Sequence, residues 1–310
     1  MIYAVCLNPC TDKTVVCDSF DPDRTNRVRP LRSDLGGKGV NCAKTLRALN
    51  VPVTLCGTEY RGAVRKGLGN DMPCLFEETG LPLRENLKIF DLSRKRTVEV
   101  NEAGDALPEG TLDRLLEQLL SVLEKGDTVI LSGSLPAGES SDTYACWCRR
   151  IREKGATVAA DCAGETLLRL LDAAPDLIKP NIGEFEELLT LMDRHMPGDM
   201  KGLSLILNAM RHTYRIRCIL LSLGKDGALL STDGGTWHCP PAAVEVKGDI
   251  GAGDAMAAAA AWQLGEGAPA DQVLAYATAA AGAVLEQEGT GAPDGDRIRE
   301  LCESCAASRI

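Results

Sequence analysis

Short apolar runs separated by stretches of helical spacing constrain this chain more than any other feature of its sequence. Runs near Tyr3 to Leu7, Val53 to Cys56, Thr128 to Leu131, Thr157 to Ala160, Leu177 to Lys179 and Cys218 to Leu221 read as strands. Between them apolar residues recur at helical spacing, as at Leu112, Leu115, Leu116, Leu119 and Leu123, a segment that Gly126 ends. Strands alternating with helices predict an α/β domain, a mostly parallel sheet covered by helices. Two stretches break the alternation, about residues 14–32 and 86–101, where Thr, Val and charged residues predict four exposed strands with no helix between them. We read these as a small second sheet, a lid. From Gly251 onward the pattern is helical to the end, with breaks at Gly265 to Pro269 and Glu288 to Pro293. Neither a repeat nor a linker divides the chain, so residues 1–310 are expected to form one domain carrying the lid.

Composition narrows the function classes. A net charge of -10 argues against nonspecific binding of nucleic acid or of an anionic membrane surface, so any phosphate site must be locally basic. No apolar run reaches the ~18 residues of a membrane span. Thirteen cysteines, an odd number without a secretory signal pattern, suit reduced thiols and a cytoplasmic setting. Cys302-x-x-Cys305 is the one metal-like pair, and His195, His212 and His238 offer it no partner pattern.

The run Gly251-Ala252-Gly253-Asp254 joins a glycine turn to the start of the Ala-rich stretch Ala255 to Ala261. Glycines let backbone N–H groups approach an anion, and the helix start adds unpaired donors and a positive dipole end. Asp254 in that first turn is placed to take a proton from a hydroxyl attacking phosphorus; the alternative is a carboxylate that only caps the helix. Gly36-Gly37-Lys38-Gly39-Val40-Asn41 is a second glycine-rich helix start, and it is neither a Walker A loop nor a dinucleotide fingerprint. Asp12 lies just beyond the carboxyl end of the first strand, where ligands of open α/β sheets bind, or else makes an Asx turn. Ser134, in Ser132-Gly133-Ser134-Leu135-Pro136, occupies the same edge. A hydrolase nucleophile at Ser134 would need a histidine base that the sequence does not place. Asn181 and Glu184 have capping-box spacing, and their oxygens also suit Mg²⁺. Gly224 and Gly227 could hug a phosphate or ribose, or simply turn a hairpin.

Taken in order, these segments resemble the ribokinase-like, or PfkB, family of carbohydrate kinases across nearly the whole chain. Leu7-Asn8-Pro9-x-x-Asp12, Asn26-Arg27-Val28 and the Ser-Gly-Ser-Leu-Pro segment are most similar to the branch acting on phosphorylated ketohexoses, the 1-phosphofructokinases and tagatose-6-phosphate kinases. The resemblance implies a three-layer α/β/α sandwich with a small β-sheet lid, and ATP and Mg²⁺ as cofactors. It implies Asp254 as base and the amides of Gly251, Ala252 and Gly253 as an anion hole. Asp12, Gly37 and Asn41 would hold sugar hydroxyls, while Arg27, Lys38, Arg84, Asn86 and Ser134 are candidates for the phosphate the substrate already carries. Asn181 and Glu184 would organise Mg²⁺ through water, and Asn181, Ser222, Gly224 and Gly227 would line the nucleotide. The implied reaction is phosphorylation of fructose 1-phosphate at its 6-hydroxyl, with tagatose 6-phosphate as the alternative acceptor. A binder of sugar phosphates without turnover is the alternative of another class. A homodimer through the lid is expected. Two departures stand out: Asp249 where the family has Thr or Ser, and the short segment from Gly57 to Arg84, with Tyr60-Arg61-Gly62 and Arg65-Lys66 in place of a Gly-Gly-x-x-Gly pattern. Asp193 to Lys201 matches nothing interpretable.

Overall fold

The first strand, β1 (Ile2–Cys6), is buried along its whole length and feeds two separate cores. Ile2, Ala4 and Cys6 join one and Tyr3 and Val5 the other, so the strand is covered by helices on both faces. The computed structural model describes residues 1–69, 71–94, 96–248, 250–287 and 291–310. After β1 come β2 (Cys10–Cys17), β3 (Arg29–Gly36), α1 (Lys38–Ala48), β4 (Val53–Glu59), α2 (Ala63–Leu68) and β5 (Cys74–Glu78). The middle of the chain forms β6 (Arg84–Asp91), β7 (Arg96–Asn101), α3 (Thr111–Val122), β8 (Thr128–Ser132), α4 (Thr143–Glu153), β9 (Thr157–Asp161), α5 (Gly164–Leu171) and β10 (Leu177–Ile178). Then follow α6 (Ile182–Leu191), α7 (Met200–Tyr214), β11 (Cys218–Ser222), β12 (Ala228–Thr232) and β13 (Gly235–Cys239). The chain closes with α8 (Ala252–Gly265), α9 (Ala270–Leu285), α10 (Gly295–Ser304) and β14 (Ser308–Arg309).

The large sheet runs in the order β14-β13-β12-β11-β10-β9-β8-β1-β4-β5. It is parallel from β11 to β5, while β12, β13 and β14 are antiparallel. Helices α1, α8, α9 and α10 cover one face through Val40, Leu46, Leu264, Leu274 and Ile298. Helices α3 to α7 cover the other through Leu115, Tyr144, Leu170, Phe185 and Leu207. This is the three-layer sandwich expected from the sequence. All thirteen cysteines are free thiols. Among the described residues no helix is long and apolar enough to cross a membrane.

Each strand of the large sheet read from the sequence lies within about three residues of its place, but four others, β5, β12, β13 and β14, were not read. The hairpin β12–β13 turns at Asp233-Gly234, and β5 is a half-buried edge strand whose pattern is weak. The expectation of helix to the chain end is corrected by β14, which pairs Ser308 and Arg309 with His238 and Trp237; two residues are too few to leave a periodic signal.

A second sheet of four strands, in the order β3-β2-β6-β7, packs over the carboxyl edge of the first. Strands β2 and β6 start earlier than the sequence indicated, and β3 ends later. Asp12 therefore sits within β2, paired with Asn86 of β6 and Asp34 of β3, instead of in a loop after β1. One face carries Asp12, Asn86, Lys88, Glu99 and Asn101 toward the large sheet. Alternate positions place Val15, Cys17 and Ile89, packed with Leu87 and Val98, on the opposite face.

Gly227 shows how tightly the edge hairpin is built. Its φ is 85°, and an added Cβ would lie 2.0 Å from the carbonyl oxygen of Cys239. Strain in the left-handed region and a clash with backbone combine there. Gly227→Ala is expected to destabilise the protein by more than about 2 kcal/mol in urea unfolding; an unchanged midpoint would show that the hairpin moves freely.

Candidate active site

The carboxyl ends of β1, β8, β9, β10 and β11, the starts of α1, α6 and α8, and the inner face of the small sheet enclose a cavity of about 560 Å3. Helix α1 begins at Gly37, whose φ of 117° suits glycine, and sends Lys38 and Asn41 into the cavity from its first turn. Gly39 lets that turn press on β1, since a Cβ there would fall 2.3 Å from the Val5 carbonyl oxygen. Helix α8 begins at Gly251, with φ of 86°, and carries Asp254 in its first turn.

These two helix starts meet. Asn41 Nδ2 donates to Asp254 Oδ2 at 2.7 Å. Lys38 Nζ donates to Asp161 Oδ1 at 3.1 Å and to Glu184 Oε1 at 3.3 Å. Lys179 Nζ approaches the same Asp161 oxygen at 3.4 Å. Asp161 Oδ2 is buried with no hydrogen-bond partner among the described residues. Burial pushes the Asp254 carboxyl up to about 6, and the Asp161 charge adds to this; Lys38, the Asn41 hydrogen bond and Lys179 act the other way. Burial works against the Lys38 ammonium, yet Asp161 and Glu184 hold it well above the usual lysine range.

The small sheet supplies the far wall. Asp12, only 3% exposed, accepts from Lys88 Nζ at 2.9 Å and from Asn86 Nδ2 at 3.2 Å. Arg84 lines the cavity, but much of its guanidinium is spent on the frame. Nε and Nη2 donate to the Asn8 carbonyl, and Nη1 donates to Asn86 Oδ1 and the Glu102 carbonyl. Asn8 Nδ2 in turn donates to Ser134 Oγ at 3.2 Å, placing that hydroxyl at the rim.

The structure gathers Asp12, Gly37, Lys38, Asn41, Arg84, Asn86, Ser134, Asn181, Glu184, Ser222, Gly251, Gly253 and Asp254 around one cavity. Arg27 is not among the described residues that line it; it is exposed in the connection between β2 and β3. Ala252, Gly224 and Gly227 are not part of the lining either. Gly224 to Asp226 form a single 3-10 turn, and Gly227 is required by its contact with β13. Asn181 and Glu184 make the full capping box, the Asn181 side chain accepting from the Glu184 N–H and Glu184 Oε2 from the Asn181 N–H. Arg65 turns away to Glu59 at 3.8 Å and lies 4.9 Å from the Phe76 ring centre, so the cationic pair of that short segment does not serve the cavity. In Asp193 to Lys201, Asp199 caps α7 by accepting from the Gly202 N–H. Asp249 lies outside the described residues. No histidine is found among the described residues lining the cavity, which leaves Ser134 without a base.

Sequence reasoning did not single out Lys88 and Asp161, and it gave no role to Lys179, the first residue of the segment that holds Asn181 and Glu184. Each sits on or at the end of a strand with no glycine signature. The signal at Asp161 and Lys179 is a charge where a buried strand meets the carboxyl edge, as in Ala160-Asp161 and Ile178-Lys179.

Comparison with known proteins accords with this geometry. The family model described as pfkB family carbohydrate kinase matches residues 83–296. The 1-phosphofructokinase of Rhodobacter capsulatus is 31% identical, with 100% of this chain and 98% of the relative covered. The 1-phosphofructokinase of Escherichia coli is 30% identical, over 97% of this chain and 96% of the relative. Among solved structures, phosphofructokinase-2 from Escherichia coli in complex with substrates and products superposes with a TM-score of 0.90 at 24% identity, covering 98% of both chains. A possible 1-phosphofructokinase from Thermotoga maritima superposes with a TM-score of 0.82 at 22% identity, covering 100% of this chain and 99% of the other. At these identities the structural likeness establishes the fold.

Asp254 is expected to titrate near pH 6 in the free protein, and Asp161→Asn to lower that value by removing the neighbouring negative charge. Carboxyl-carbon NMR titration checks both; an Asp254 that titrates near 4 would mean its surroundings are wetter than the structure gives.

Proposed function

The chain belongs to the pfkB family of carbohydrate kinases, and on that premise we propose that it is an ATP-dependent 1-phosphofructokinase. It transfers the γ-phosphoryl group of ATP to the 6-hydroxyl of fructose 1-phosphate, giving fructose 1,6-bisphosphate. The observation that carries this reading is the buried Asp254, aligned by Asn41 at 2.7 Å at a glycine-led helix start. Its raised pKa suits a base working near neutral pH, because at pH 7 it is largely ionised yet still binds a proton well. It takes the proton of the attacking hydroxyl, and the N–H groups at Gly251 to Gly253 receive the charge that builds on the transferring phosphoryl group. Asp12 and Asn41 accept and orient sugar hydroxyls. Arg84, Asn86, Lys38 and Ser134 are proposed for the phosphate already on the acceptor. Ser222 and the turn at Gly224 to Gly227 are proposed for the nucleotide.

Charge balance supports a metal cofactor. Among the described lining residues, Lys38, Arg84, Lys88 and Lys179 face five carboxylates, Asp12, Glu99, Asp161, Glu184 and Asp254. Such a cavity does not by itself neutralise two phosphorylated ligands, so cations must enter with them. Asp161 Oδ2, buried and unpartnered, fits a hard cation such as Mg²⁺. The capping box occupies Asn181 and part of Glu184, which supports a contact from these two through water. When bound, the ion neutralises charge on the phosphate oxygens.

The outer face of the small sheet supports a homodimer. Val100, paired with Leu87, is 55% exposed on the face of the small apolar cluster of Val15, Cys17 and Ile89, and Leu31 of β3 is 54% exposed. Covering this face with a second copy would bury it and protect its strand edges. A dimer is expected by light scattering at micromolar concentration, and a monomer there would overturn this part.

The enzymatic test is ADP release from Mg-ATP with fructose 1-phosphate, tagatose 6-phosphate, fructose 6-phosphate, fructose and ribose. Turnover should be confined to fructose 1-phosphate, and Asp254→Asn should lower kcat by roughly a hundredfold to ten-thousandfold. Preference for tagatose 6-phosphate would move the chain to the neighbouring activity, and binding of a sugar phosphate without ADP would make it a binder.

A further inference from the structure

Lys88 stands out because the motifs that pointed to the cavity do not include it. It lies on β6, two positions beyond Asn86, and therefore on the same face as Asp12 and Arg84. Its side chain is 5% exposed and that of Asp12 4%, so the ion pair is shielded from water on nearly every side. Lys88 Nζ donates to Asp12 Oδ2 at 2.9 Å, while Oδ1 accepts from Asn86 Nδ2 at 3.2 Å and from Cys10 Sγ at 3.4 Å. The backbone closes the remaining side: a Cβ on Gly36 would fall 2.2 Å from Asp12 Oδ2. The carboxylate is thus boxed by its neighbours, with its open approach toward the cavity that both residues line.

The two cations that β6 offers differ in their partners. Arg84 donates to two backbone carbonyls and to Asn86. Lys88 Nζ gives its bond to the Asp12 carboxylate, and the two side chains are buried together. Removing one partner of a buried pair leaves the other charge uncompensated, a loss far greater than that of an exposed pair.

Resting on the kinase reading above, we propose that Lys88 is a positioning residue for acceptor recognition. Its ammonium holds the Asp12 carboxylate in the orientation that accepts ring-hydroxyl protons of the sugar phosphate. Lys88 therefore acts through Asp12, on binding of the sugar, and has no part in proton transfer at Asp254.

The test is a double-mutant cycle with steady-state kinetics on fructose 1-phosphate, using Lys88→Met, Asp12→Asn and the pair. Lys88→Met is expected to raise KM for the sugar phosphate about 10- to 100-fold, as for loss of a charged hydrogen bond. KM for ATP should stay within about threefold, and kcat should fall much less than KM rises. The double variant should be no worse than Asp12→Asn alone, because the two side chains work as a unit. Effects that multiply in the double variant, or a Lys88→Met enzyme with unchanged sugar KM, would overturn the proposal. Should Lys88→Met fail to melt cooperatively, Lys88→Arg, which keeps the cation, is read in its place: a KM within threefold of wild type supports the pairing, and a tenfold rise overturns it. Wild-type protein that turns over none of the sugars would instead overturn the kinase reading.

Discussion

The pairing of Lys38 with Asp161 is the interaction on which the rest of the site depends. Lys38 comes from the first turn of α1 and Asp161 from the end of β9, and Glu184 of α6 and Lys179 beyond β10 join the same cluster. Four elements are thereby tied at the edge where the parallel strands end. Asp161 is 1% exposed, so removing either lysine would leave its buried charge less well compensated. The cluster also sets the field at Asp254, where the Asp161 charge raises the carboxyl pKa and the two lysines oppose it. Structural and chemical demands therefore fall on the same side chains.

The second constraint is geometric. Parallel strands flanked by helices bring their carboxyl ends, and the starts of the helices that follow, to one edge. Here the starts of α1 and α8 converge so closely that Asn41 reaches Asp254, and glycines at 37, 39, 251 and 253 keep side chains out of the junction. The small sheet then closes the cavity from above, and its alternation puts polar residues inward and apolar ones outward. Its Asp12–Lys88 pair mirrors the Lys179–Asp161 pair below, so each wall of the cavity carries its own buried ion pair.

Much of this was legible in the chain. The alternation of apolar strands and helices gave the layered sheet because its period follows directly from burial on one helix face or both strand faces. The helix starts at Gly37 and Gly251 were legible because glycine at a left-handed position before a helix is a local requirement, written where it acts. The short strand β14, the edge strand β5 and the hairpin β12–β13 were harder, since their pairing partners, and not their own pattern, make them strands. The same contrast separates Asp254, found from its neighbours in sequence, from Lys88 and Lys179, which look like ordinary charges until the fold buries them.

The sequence by itself determined the fold class, the two glycine-led helix starts, the four strands of the small sheet and the place of Asp254 in the first turn of α8. Those features rest on local periodicity and on backbone conformations that only certain residues adopt. Tertiary structure alone decided which charges meet. Lys38 and Asp161 are 123 positions apart, Asp12 and Lys88 76, and Asn41 and Asp254 213. It also placed Arg27 in the exposed connection between β2 and β3 and spent Arg84 on backbone carbonyls. The physical reason is that the strength of a charge or hydrogen bond depends on burial and on partners distant in the chain, and neither is written in the residues beside it.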